Sequence, residues 1–147
     1  MKTLATNKKA HYDYEILETI EVGIELLGHE VKAAKTGHAK LTGSFVHLRS
    51  SEAWLTNAFI GRYAKAAALP DYDPTRTRRL LLHRRDLRRL VGKQQSDRLT
   101  IIPLRLYEKR GLVKAEIALA RGKRQFEKRE TIKRREDERR MRRARMA

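Results

Sequence analysis

Hydrophobic and polar positions alternate with a period of two along several stretches of this chain, and each such stretch predicts a half-buried strand. The clearest is Leu99–Lys123, LTIIPLRLYEKRGLVKAEIALARGK. In its first half Ile101, Pro103, Arg105 and Tyr107 alternate with Ile102, Leu104 and Leu106. Past Glu108-Lys109-Arg110-Gly111, Val113, Ala115, Ile117 and Leu119 alternate with Lys114, Glu116 and Ala118. Two such runs joined by a Gly-containing link predict a β-hairpin. Nearer the start, Tyr12, Tyr14, Ile16, Ile20, Val22, Ile24 and Leu26 share one parity, while Asp13, Glu15, Thr19, Glu21 and Glu25 share the other. This predicts one long strand, bent near Glu18–Ile20 and bulged or bent at Gly23. Ser44–Arg49 and Ala53–Ile60 predict a second hairpin around Ser50-Ser51-Glu52. Arg76–Leu82 predicts a basic entry to an apolar strand.

Helical spacing is rarer. Between Gly28 and Gly37 an Ala/Lys/Glu segment predicts one or two turns, ended by Gly37. His83–Gln95 places Leu87, Leu90 and Val91 on one stripe and Arg84, Arg85, Arg88 and Arg89 around the rest, with Gly92 weakening the last turn. Tyr63–Thr77 is weakly patterned, and Asp71-Tyr72-Asp73-Pro74 signals a loop. Residues 1–11, polar and basic around Asn7-Lys8-Lys9, are expected to be a flexible arm. The order strand, short helix, hairpin, strand, helix, hairpin predicts a mainly β fold. Residues 12–122 would form a small antiparallel OB-like barrel with short helices at its ends.

After Gly122 the pattern stops. Residues 123–147 hold 12 basic and 5 acidic residues and no apolar stripe. Without a face to bury, and with repelling like charges, this tail is expected to be disordered alone. It is nevertheless rich in Arg, Lys and Glu and free of Gly and Pro, so it is expected to become helical against a polyanion. A plain solubilising tail is the alternative.

Charge sharpens the picture. The chain of 147 residues carries +17; the tail accounts for +7, so the body keeps +10. Such a balance favours a polyanionic partner, most often nucleic acid. No apolar run approaches the roughly 20 residues of a spanning helix, and the first residues do not resemble a signal peptide. With no Cys, the expected location is cytoplasmic. The five His residues lack metal-ligand spacing, and neither a glycine-rich phosphate loop nor G-x-S-x-G is present. The chain is therefore not expected to be an enzyme, to carry a cofactor or to bind a small-molecule substrate. Taken singly, the other candidates are undistinguished. The Arg84–Arg89 helix is also what a solvated face looks like. Glu21 reads equally as an exposed strand carboxylate or as an acceptor for a base amino group. Lys114 and Leu81 are one exposed strand Lys and one strand Leu.

Together, however, several blocks resemble the SsrA-binding protein family, also called small protein B, the bacterial partner of transfer-messenger RNA (tmRNA). These are Asn7-Lys8-Lys9-Ala10, Glu21-Val22-Gly23-Ile24-Glu25-Leu26, Gly28-His29-Glu30-Val31-Lys32, Asp73-Pro74-Thr75-Arg76-Thr77-Arg78-Arg79-Leu80-Leu81-Leu82 and Ala120-Arg121-Gly122-Lys123-Arg124. The similarity runs from Asn7 to about Glu136. It implies an OB-like barrel with helices and an adaptor for trans-translation, which binds the tRNA-like domain of tmRNA and delivers it to stalled ribosomes. It implies RNA contacts at Asn7, Lys8, Glu21, Leu81 and Lys114. It also implies a tail, including Gly122, Lys123, Phe126, Lys128 and Arg129, that reads the empty messenger channel beside small-subunit rRNA and the decoding centre. Phe126 occupies the position of a ring that stacks there. A monomer without a membrane partner is expected. The runner-up is a general or ribosomal OB-fold RNA-binding protein without tmRNA specificity.

Overall fold

The computed structural model describes residues 1–63, 71–123 and 125–146, without the side chains of 125–127 and 146. Residues 64–70, the middle of the weakly patterned Tyr63–Thr77 stretch, lie outside the described residues, as do Arg124 and Ala147. Among the described residues the fold is mostly antiparallel sheet with four helices. The strands are β1 (Lys2–Thr6), β2 (Tyr14–Ile24), β3 (Ala39–Lys40), β4 (Phe45–Arg49), β5 (Glu52–Thr56), β6 (Phe59–Ile60), β7 (Arg78–Leu81), β8 (Thr100–Lys109) and β9 (Leu112–Gly122). The helices are α1 (Ala10–Asp13), α2 (Gly28–Lys35), α3 (Arg84–Asp97) and α4 (Gln125–Met146).

The main sheet pairs its strands in a ring. β8 pairs with β9, β9 with β2, β2 with β7, β7 with β5, β5 with β4, and β4 with β8 again through Val46 and Ile101. β3 and β6 form a separate two-stranded sheet. Both predicted hairpins form through two-residue turns with left-handed backbone, the geometry that matches strand twist. Arg110 and Gly111 turn β8 into β9 at φ 53° and 78°, and Ser50 and Ser51 turn β4 into β5 at φ 52° and 59°. The predicted 53–60 strand is divided at Asn57, whose φ of 66° ends β5 and sends Phe59–Ile60 to β3.

Two bulges create a second core. Ile16 pairs with Ala120 and Glu18 with Leu119, so Leu17 is an extra residue in β2. Pro103 pairs with Ile117 and Arg105 with Glu116, so Leu104 is extra in β8. A bulge reverses the facing of everything beyond it. Ile20, Val22, Ile101, Leu106, Ala115 and Ile117 therefore pack into the main core, whereas Ile16, Ile102, Leu104, Ala118 and Ala120 pack on the opposite face against Ala10 of α1. The bend expected near Glu18–Ile20 falls at Leu17. Gly23 is not a bulge, because pairing runs through it without a register shift.

The N-terminal residues are not a flexible arm in this structure. β1 pairs with β8 from Lys2↔Glu108 to Thr6↔Arg105, which satisfies an edge that would otherwise leave backbone groups unpaired. Asn7 completes the closure. Its backbone N–H donates to Leu104 O at 2.7 Å, and its amide Nδ2 donates to Pro103 O at 3.0 Å, beside the β8 bulge. The tail forms the helix α4, where disorder was expected for the isolated segment. Good helix formers and the lack of a breaker after Gly122 account for its helical form. Its base is fastened by Lys123, whose backbone N–H donates to Asp13 O at 2.9 Å and whose Nζ donates to His11 O at 2.6 Å.

A buried ion-pair cluster joins α2 to β7. Glu30 and Arg78 are both fully buried. Arg78 Nε donates to Glu30 Oε2 at 2.8 Å, Tyr72 OH at 2.9 Å and Arg76 Nε at 3.0 Å, while Leu27 N–H donates to Oε1 at 2.8 Å. Arg78 Nη1 spends its remaining capacity on Ala58 O at 2.7 Å, and Nη2 on Pro74 O at 3.0 Å. Burial alone would raise the Glu30 carboxyl; the bonds from Arg76, Leu27 N–H and Arg78 override it and bring the pKa to about 2. Arg78→Ala removes the one fully buried cation paired with Glu30 among the described residues and is expected to cost about 3–5 kcal/mol, read by urea unfolding. In the unfolded chain Glu30 titrates near 4.5. Its contribution, on the order of 3 kcal/mol, is thus whole above that pH and is lost as pH falls toward about 2. Glu30→Gln should flatten that part of the stability–pH curve.

Candidate nucleic-acid interface

On the outer face of the ring one row of residues crosses four strands. Tyr107 of β8 stands opposite Lys114 of β9, Lys114 opposite Gly23 of β2, and Gly23 opposite Leu81 of β7. The row faces outward because its neighbours Leu106, Ala115 and Leu80 point into the core. Gly23 has no side chain to fill the middle of the row. A Cβ there would lie 3.2 Å from Leu81 Cβ, so only glycine leaves the space open. The result is a groove of about 400 Å³ lined by Glu21, Gly23, Leu81, His83, Asp86 and Lys114. The structure thus brings Glu21, Leu81 and Lys114 together from three strands far apart in sequence.

The groove's chemistry is divided. Leu81 is 44% exposed and offers apolar surface to the groove. Lys114 makes no hydrogen bond or ion pair among the described residues, so its ammonium is available to an incoming anion. Glu21 is held on the rim by two donors. The Tyr107 hydroxyl donates to Oε2, and Lys109 Nζ lies 3.3 Å from both carboxylate oxygens. The Tyr107 bond, then that of Lys109, keeps Glu21 below the usual carboxylate range. Burial, and then the Glu21 carboxylate, raise the Tyr107 phenol in return. The Tyr107 ring is itself buried, with the Arg105 guanidinium 4.7 Å above it. Tyr107 is the partner that the sequence reading missed. Its outward parity was visible, but not the register that carries its hydroxyl to Glu21.

The other candidates lie elsewhere. Asn7 is 8% exposed and committed to the Pro103 carbonyl, which gives it a place in the fold and removes it from the candidate surface. Lys8 remains exposed. On α3, Arg84, Arg85 and Arg88 are exposed, whereas Arg89 and Lys93 pair with Glu18 and tie the helix to β2. Arg84, Arg88 and Leu81 line a larger cavity of about 730 Å³ between α3 and the β5–β7 edge, contiguous with the groove through Leu81. In the tail, Gly122 ends β9, and Lys123 and Lys128 face α1. Lys128 Nζ lies 3.4 Å from Asp13 and 5.5 Å from the Tyr12 ring centre. Arg129 is exposed, and the Phe126 side chain lies outside the described ones.

A basic sheet protein with an unpaired lysine, a fixed carboxylate and an exposed leucine around one outward groove is of the class that meets a polyanion through its surface. The chain belongs to the family described as "SmpB protein", whose model matches residues 4–147. A relative in Nostoc punctiforme named "SsrA-binding protein" is 50% identical over 143 residues, covering 97% of this chain and 92% of that protein. One of the same name in Trichodesmium erythraeum is 48% identical over the same shares. Among solved structures, one described as "tmRNA-SmpB: a journey to the center of the bacterial ribosome" matches with a TM-score of 0.67 and 45% identity, over 82% of this chain and 84% of that one.

Tyr107→Phe removes the first donor to Glu21. The Glu21 carboxyl should then titrate closer to its ordinary value in a carbon-detected NMR titration; no change would assign its low pKa to Lys109 instead.

Proposed function

We propose that this chain is an RNA-binding adaptor of trans-translation: it binds the tRNA-like domain of tmRNA and delivers it to stalled ribosomes in the cytoplasm. The observation that carries this reading is the groove, where Glu21, Leu81 and Lys114 converge on one outward face in a chain whose relatives are named for binding SsrA. The ring of strands is read as an OB-like barrel, spanning 12–122 with β1 added at its edge. RNA would be recognised by shape, backbone contacts and stacking rather than by a duplex base code. Lys114 supplies a charge-assisted contact to phosphate, Leu81 an apolar contact to a base or sugar, and the Glu21 carboxylate an acceptor for a base amino group.

The tail is read as the ribosome-sensing part. α4 is tied to α1 near its base, where Lys128 lies 3.4 Å from Asp13, and farther along it carries internal pairs such as Arg140–Asp137 at 3.7 Å and Arg142–Glu138 at 3.9 Å. Exposed i,i+3 and i,i+4 pairs contribute only a few tenths of a kcal/mol each. The far part of α4 is thus held chiefly by helix propensity and frays in the free protein. A polyanionic channel without a message would offset the ordering cost and neutralise the charge. Phe126, Lys128 and Arg129 are the residues proposed to act there.

Lys114→Ala should lower affinity for the tRNA-like domain by about 1 kcal/mol or more, roughly fivefold, in a binding titration against competing bulk tRNA. Glu21→Ala should weaken binding too, although it removes negative charge; tighter binding would reject the specific role of Glu21. Equal affinity for bulk tRNA would favour a general RNA-binding protein. Truncation after Gly122 should leave that affinity within a few fold. Conversely, the triple variant Phe126→Ala, Lys128→Ala, Arg129→Ala should impair tagging of stalled chains while sparing binding by the body. Full tagging by that variant would reject the channel-sensing role.

A further inference from the structure

The outward face of the sheet does not end at the groove. β7 presents Arg79 and Leu81 on the same side; Leu81 lines the groove, and Arg79 stands opposite Trp54 of β5, which stands opposite His47 of β4. One step along β4 on the same side is Phe45. The alternate residues Val46, Ala53 and Leu55 are buried in the core, so Phe45, His47 and Trp54 share the outer face. Phe45 is 39% exposed, and its ring centre is 6.2 Å from that of His47. Two polar atoms of this cluster already have partners. His47 Nδ1 and Thr56 Oγ1 are 3.0 Å apart, and Trp54 Nε1 donates to Arg49 O at 3.3 Å. What remains to offer a ligand is ring surface and the second ring nitrogen of His47.

The charges bordering the rings cancel. Arg79 is gripped by Glu52, at 2.7 and 3.2 Å, and lies 3.6 Å from Glu25; Arg49 stands opposite Glu52. In a chain carrying +17, this is a locally balanced patch of aromatic side chains beside the groove that holds Lys114. Phosphate attraction belongs to the groove, and stacking to the rings. Aromatic side chains on an open strand face next to a basic track are how unpaired bases are held without sequence preference.

We propose that Phe45, His47 and Trp54 form a stacking platform for unpaired RNA bases, reached from the Glu21–Leu81–Lys114 groove across β7. The proposal rests on the reading of the chain as RNA-binding, and extends the contact surface over two more strands, β5 and β4. The bound strand would lay its phosphates toward Lys114 and turn one or two bases onto the rings.

Trp54 is the chain's single tryptophan, so its emission reports the platform directly. The full-length protein is titrated with a labelled short oligouridylate and, separately, with the tRNA-like domain, following label anisotropy and Trp54 emission together. The platform requires Trp54 quenching in step with oligouridylate binding. It also requires roughly tenfold weaker oligouridylate binding by Phe45→Ala, His47→Ala, with recovery in Phe45→Tyr, which keeps the ring. Saturated anisotropy with unchanged Trp54 emission would overturn it, as would full affinity in the double alanine variant or failure to bind the oligouridylate. Loss of ribosome association by the double variant with unchanged RNA binding would also overturn it, assigning the rings to a protein partner. The tRNA-like domain arm judges the adaptor reading alone. Quenching by oligouridylate without preference for that domain keeps the platform and rejects the adaptor.

Discussion

The contact on which the rest depends is the buried carboxylate of Glu30. Only two register pairs, Gly23↔Leu81 and Ile24↔Leu80, join β2 to β7, and the groove lies over that seam. Two pairs alone hold a seam weakly. Glu30 sits just past β2 and grips Arg78, the first residue of β7, while Tyr72 and Arg76 bring in the loop before it. A buried ion pair is a poor source of net stability compared with an apolar pair, yet its directionality admits one arrangement. Here it fixes where β7 lies against β2, and so how far Leu81 stands from Lys114.

From that seam outward the surface follows from strand alternation. The same pleat that buries Val22, Leu80 and Ala115 turns Glu21, Leu81 and Lys114 to solvent. Gly23 keeps the middle of the row low, so the side chains on either side border a groove. Tyr107 and Lys109 bind Glu21, so that this carboxylate is fixed in place while Lys114 makes no hydrogen bond or ion pair among the described residues.

Much of the fold was legible from period-two patterning: both hairpins, the long second strand, the two longer body helices and the end of the body near Gly122. Residues 21, 81 and 114, which the resemblance names without placing, converge on one groove, whereas Asn7 and Lys8 of the same set do not line it. Parity alone could not reveal the bulges at Leu17 and Leu104. Each keeps the apolar alternation intact in the sequence while moving residues to the opposite face, so Ile16 and Ile20 look equivalent and are not. The N-terminal strand was missed because KTLAT is short and polar, and its order comes from pairing with β8 about a hundred residues later. Asn7 looked like a surface residue for the same reason: its partners, the carbonyls of Pro103 and Leu104, exist only once the bulge has formed. The charges of Glu30 and Arg78 lay in two of the blocks that carry the resemblance, but nothing local marks a charged residue as buried when its partner is 48 positions away.

The ring of pairings has a temporal consequence. β1, the first strand to be synthesised, pairs with β8, and β2 runs antiparallel to β9 over most of its length, so both wait for residues 100–122. During translation β1 and most of β2 therefore emerge with no lasting partner, and Glu30 stays hydrated until Arg78 appears. Long-range pairing of this kind makes closure a late event that depends on chain completion. A copy whose own synthesis halted before β9 could not close its ring. A cell short of this protein would thus gain nothing from its truncated copies, and every working molecule is the product of a ribosome that read past Gly122.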